Sequence, residues 1–115
     1  MPPQALGEFE QLVLLAILQL DRRPDGEAYG VPIVEEIERR TGRSVSRAAV
    51  YVTLGRLEKR GLIQSWMSEP TSERGGKARR CVRVQPAGEV ALLDSRRALD
   101  SMWKDLQLAA RERAR

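Results

Sequence analysis

The chain has 115 residues, 42% hydrophobic and 31% charged, with 20 Lys and Arg against 16 Asp and Glu for a formal net charge of +4. That length suits one domain with a modest core, and the ordinary apolar share argues against disorder. One Cys, no His and no apolar run of about 18 residues argue against a disulfide, a transition-metal site, a membrane span and the commonest acid–base chemistry. The expectation is a soluble cytoplasmic protein without cofactor or metal, and not an enzyme.

The first element is a strongly apolar helix over residues 8–20, with Phe9, Leu12, Val13, Ala16, Ile17 and Leu20 on one face. Leu14, Leu15 and Leu18 fall on other faces, so burial on more than one side is expected, the second side by a partner subunit. Asp21 to Glu27, with Pro24 and Gly26, reads as a loop.

A second helix opens in Ala28-Tyr29-Gly30-Val31-Pro32, where Pro is tolerated in the first turn, and stops at Thr41-Gly42. Its spacing turns Val31, Val34 and Ile37 inward and Glu35, Glu36, Glu38, Arg39 and Arg40 outward. After the short turn Arg43-Ser44-Val45 comes a third helix, Ser46 to Arg60, with Ser46 as N-cap and Gly61 just past its end. Val50, Leu54 and Leu57 must face the core. Arg47, Ala48, Tyr51, Val52, Gly55, Arg56 and Lys59 lie on the sides and far face, where the small Ala48 and Gly55 would allow close approach of a partner or are plain surface positions.

Two short strands follow, Leu62 to Trp66 and Cys81 to Val84, around a tip in which Gly75-Gly76 is crowded by Arg74, Lys77, Arg79 and Arg80. As a plain solvent loop, packed like charges gain nothing; against phosphate they gain Coulomb energy and release counterions. Residues 39–83 hold 12 Lys and Arg and only three acids, whereas the remainder holds 8 basic and 13 acidic residues. A cationic middle between acidic flanks suits a polyanion bound on one face. Trp66 reads as hairpin packing and Cys81 as a small hydrophobe in a strand.

The last helix opens at Pro86-Ala87-Gly88-Glu89 and is expected to run to about residue 111. Leu92, Leu99 and Leu106 lie seven apart, Met102 and Ala109 follow the intermediate position, and Ala91, Ala98, Trp103 and Ala110 flank the seam. That heptad needs a partner helix: the first helix of its own subunit, a second subunit, or both. A homodimer is expected, with Leu12, Leu15, Leu92, Leu99, Met102, Trp103 and Leu106 at its interface.

The fold class expected is therefore mainly α with a small β-hairpin. A winged helix-turn-helix would occupy residues 5–85, and a C-terminal dimerisation helix residues 86–113. Such a shape fits a DNA groove and its flanking phosphates. The candidate contacts are Ser46, Arg47, Ala49, Tyr51 and Arg56 on the third helix, with Arg74, Lys77, Arg79 and Arg80 on the wing. The alternative is a winged-helix module that binds an acidic protein partner without reading DNA.

These residues resemble the PadR family of bacterial transcriptional regulators. The likeness lies in Leu6-Gly7-Glu8-Phe9-Glu10 leading into Val13 to Leu18, then Ala28-Tyr29-Gly30, Ala49-Val50-Tyr51, Arg56 to Ile63, and Arg74 to Arg80. It implies a winged helix-turn-helix dimer on double-stranded DNA that represses transcription, of the branch with a single C-terminal helix. It also implies DNA contact by Tyr51 and its neighbours, with phosphate clamped by the wing cations. Some relatives sandwich planar drug-like molecules between dimer-helix Trp residues, which makes Trp103 the candidate for a small-molecule inducer. Gly55, Cys81-Val82 and Gln85 depart from the family pattern, the last weakening the cap of the final helix.

Overall fold

A computed structural model describes residues 5–69 and 78–110. Helix α1, Glu8–Asp21, is the hub, packing against α2 (Gly30–Thr41), α3 (Arg47–Lys59), the second strand and α4 (Pro86–Trp103). Its start is held by the Glu10 carboxylate, which accepts from the Gly7 N–H at 2.9 Å and pairs with Arg60 beyond the end of α3 at 3.0 Å. Val13, Leu14 and Ile17 are fully enclosed by the chain itself. Of the residues on the other faces of α1, Leu14 is covered from within, whereas Leu18 is half-buried and Leu15 exposed.

Helix α2, Gly30–Thr41, begins two residues later than expected, because the Ala28 carbonyl accepts from the Val82 N–H at 2.9 Å and stitches this segment to the wing. Gly42 stops α2 and Gly61 follows α3, with φ of 73° and 74° in the left-handed region that glycine occupies without strain. Ile33 and Ile37 fill the core, and so, contrary to the helical-face reading, does Glu36, whose side chain is 2% exposed. Burial works against its charge, but Arg40, Arg39 at 3.0 Å and Arg23 at 2.7 Å outweigh it and hold its pKa down at about 2.

Helix α3, Arg47–Lys59, is capped as its sequence requires: Ser46 Oγ accepts from the Ala49 N–H at 3.0 Å. Glu38 braces the preceding turn by accepting from the Val45 N–H at 3.0 Å. Val50, Leu54 and Leu57 face the core, joined by Thr53. Strands β1 (Ile63–Met67) and β2 (Arg80–Val84) pair antiparallel with Ile63 opposite Val84 and Trp66 opposite Cys81. Ile63, Val82 and Val84 turn into the core.

Helix α4, Pro86–Trp103, starts with Pro at N1 and no side-chain cap from Gln85. It ends at Trp103 rather than running on to about residue 111, with Asp105 at a φ of 64°. Ala91 and Leu92 bury against the chain's own core, so Leu92 is a core residue and not part of an exposed seam. Leu106 lies past the helix end.

Candidate nucleic-acid interface

The α2–turn–α3 unit displays one broad face of α3. Arg47, Ala48, Ala49, Tyr51, Val52, Arg56 and Lys59 are all exposed there, on the side opposite Val50, Leu54 and Leu57. Among the described residues, Arg47, Arg56 and Lys59 have no ion-pair or hydrogen-bond partner, so their charges are free for an anion. Nothing lies within 4 Å of a Cβ placed on Gly55, which leaves the middle of this face open for close approach. The Ser46 hydroxyl is committed to its cap and serves by holding the helix start, and Ala49 supplies the N–H it takes. Val52, half exposed on this face, was not among the expected contacts. It adds an apolar, β-branched side chain to the exposed cationic face of α3.

The wing departs from expectation. Arg74 and Lys77 fall outside the described residues. Arg79 is not a free phosphate clamp: its side chain is 13% exposed, pairs with Glu27 and lies over the Tyr29 ring at 4.0 Å. Burial disfavours its charge, yet the hydrogen bond and charge of Glu27, with Tyr29 alongside, prevail and its pKa is raised; Nε and Nη1 are buried without a hydrogen-bond partner. Arg80 pairs with Glu58 on α3, whose other oxygen accepts from the Ser65 hydroxyl at 2.7 Å. These two cations fasten the foot of the hairpin to the body, an arrangement invisible in the sequence because the partners lie 52 and 22 residues away.

Trp66, read as hairpin packing, is half exposed and packs across the hairpin, with the Arg83 guanidinium of β2 5.6 Å from its ring centroid. Cys81 is buried and burial pushes its thiol pKa up, which suits packing and not reactivity.

A second surface lies between α1 and α4. A groove of about 560 Å³ is lined by Leu15, Leu18, Leu92, Leu93, Leu99 and Trp103, with Gln11, Glu89, Arg96 and Asp100 at its margins. Leu99, Met102 and Trp103 are exposed along it or beyond it, whereas Leu12 is half-buried against the core. Of the expected interface residues, the structure brings Leu15, Leu92, Leu99 and Trp103 together on this groove, Leu92 buried and the other three exposed. Among the described residues there is no group of acids and cysteine arranged to hold a metal ion, and no helix long and apolar enough to cross a membrane.

A capped helix carrying unpaired cations, set across a short turn from its scaffold helix and followed by an antiparallel hairpin, defines a winged helix-turn-helix. The profile of the transcriptional regulator PadR-like family matches residues 14–94, and the chain belongs to that family. It is 37% identical over 87 residues to transcriptional regulator Rv3488 of Mycobacterium tuberculosis, covering 76% of this chain and 77% of that one. Solved structures share the fold. A transcriptional regulator from Clostridium thermocellum superposes with a TM-score of 0.65 at 23% identity, over 83% of this chain and 85% of that one. A PadR family regulator from Eggerthella lenta gives 0.62 at 25% identity, over 83% and 79%. The chain is a DNA-binding transcriptional regulator and not an enzyme.

Proposed function

We propose that the protein acts as a homodimeric repressor on a pseudo-palindromic operator. The two α3 helices enter successive major grooves about 34 Å apart, and the wings lie on the flanking backbone. The observation that carries DNA contact by α3 is its unpaired cationic face: Arg47 and Arg56 flank Tyr51, with Val52 between them in sequence. Arg47, Arg56 and Lys59 serve as phosphate contacts and Tyr51 meets the groove edge. Arg74 and Lys77, which lie between the two strands in sequence, add further phosphate contacts.

Dimerisation rests on the α1–α4 groove. Leu99 and Trp103 are 54% and 55% exposed on a helix whose first half is already anchored in the core, and a second copy of α4 supplies the apolar surface they lack. Repression follows from occupancy, since a dimer seated on an operator excludes polymerase from the same DNA. Trp103, at the groove, is the residue on which a planar small-molecule inducer would stack.

Gel-shift titration on duplexes tiled across the DNA upstream of the gene, at two salt concentrations, tests DNA binding. One tile should bind far tighter than the others and weaken steeply with salt. Absence of any salt-dependent binding refutes the proposal.

A further inference from the structure

Gly30 is the first residue of α2 and is buried, yet its φ is not in the left-handed region that would call for glycine. Helix propensity alone favours alanine there. The demand for glycine comes from α3. A Cβ on Gly30 would collide with the hydroxyl oxygen of Tyr51 and lie 2.6 Å from its Cζ and 3.0 Å from its Cε1. The outer end of the phenol therefore rests on the bare Cα of Gly30 and bridges the two helices of the helix-turn-helix.

The rest of the ring is outside: Tyr51 is 45% exposed, and its hydroxyl has no hydrogen-bond partner among the described residues. A tyrosine has two side-chain torsions and a rigid ring, so an added methyl group cannot be absorbed by bending its tip. Either the ring swings to another rotamer or the helices part.

The geometry points to Gly30 as the positioning residue for Tyr51: its missing side chain is a seat that fixes where the phenol hydroxyl meets DNA. This rests on the reading of Tyr51 as a DNA contact. Gly30 touches DNA only through Tyr51, and its contribution is orientation of a group on the neighbouring helix.

The test is a double-mutant cycle of G30A and Y51A, read as affinity for the tightest-binding upstream duplex by fluorescence anisotropy, with thermal unfolding in parallel. Y51A should weaken binding about tenfold. G30A should weaken it similarly in the wild-type background and have no further effect in the Y51A background. With only two tyrosines in the chain, fluorotyrosine labelling gives two resonances, assigned with Y51F. G30A should move the Tyr51 line towards solvent exposure, a change that a general loss of stability does not produce.

Unaltered affinity and an unmoved Tyr51 line in G30A, while Y51A is impaired, overturn the seat but leave the Tyr51 contact standing. Wild-type affinity of Y51A removes the contact itself and the seat with it. Equal losses from G30A in both backgrounds mean that Gly30 acts through its backbone, which also overturns the inference. Should G30A fail to fold, recovery of folding in the double variant supports the seat and continued failure refutes it.

Discussion

Arg79 lies over Tyr29 with its central guanidinium carbon 4.0 Å from the ring centroid, and the same guanidinium pairs with Glu27. One residue before β2 is thereby clamped to the segment that leads into α2. Cation–ring contact and a charge-assisted hydrogen bond act together on a side chain from which water is mostly excluded. R79A should lower stability by about 1–2 kcal/mol in urea unfolding. Because Arg79 is held inside the fold, the salt slope of DNA binding should stay as in wild type. R47A and R56A should each reduce that slope by about 0.9 with little effect on unfolding. A reduced slope in R79A would show that its charge reaches phosphate after all.

Glu36 gives the fold an acid limit. Its pKa of about 2 lies below the ordinary 4.5, so the unfolded chain takes up this proton more readily than the folded one. The stability it contributes is fully present above about pH 4.5 and is lost as pH falls towards 2. E36Q should flatten that part of the stability profile. It should also cost about 2 kcal/mol at neutral pH, allowing for screening of its half-exposed arginine partners. Urea midpoints measured across pH 2 to 7 in both proteins are the check.

Leu92 and Leu99 stand one heptad apart but in opposite situations. If the proposed dimer forms through the α1–α4 groove, L99E should leave the domain folded but monomeric where the wild type is dimeric, by size-exclusion with light scattering. L92E places a charge in the core and should prevent folding, seen as loss of the cooperative circular-dichroism transition. A dimeric L99E would remove the α1–α4 groove as the interface.

Gly88 lets α4 approach the end of α3. A Cβ there would strike the Leu62 carbonyl oxygen and lie 2.8 Å from Val84 Cγ1, both fixed parts of the body. Alanine is the better helix former, so propensity alone would make G88A stabilising. The collision should reverse that sign and lower stability by about 1–3 kcal/mol, measured by urea unfolding.

The elements legible in the sequence are those set by local chemistry. The Ser46 cap, the stops at Gly42 and Gly61, and the inward spacing of Val50, Leu54 and Leu57 each depend on residues within a turn or two. What escaped depends on partners distant along the chain. Glu36 reads as outward until Arg23, 13 residues away, joins Arg39 and Arg40 around it. Arg79 and Arg80 read as a phosphate clamp because Glu27 and Glu58 cannot be placed beside them from spacing. Likewise the heptad of Leu92, Leu99 and Leu106 specifies a stripe but not what covers it: the body takes Leu92, and the helix ends before Leu106. On the α3 face, Arg47, Tyr51 and Arg56 are where helical spacing puts them.

Leu62 donates its N–H to the Leu57 carbonyl at 3.0 Å, and its own carbonyl accepts from the Gln85 N–H at 2.9 Å. A single residue thus joins the last turn of α3 to the residue before α4, and the buried Leu62 side chain pins it to the body. It works as a fulcrum. A tilt of α4 bears on the end of α3 through this residue, so in the proposed dimer the crossing angle of the two α4 helices would set the pitch at which both α3 helices face a duplex.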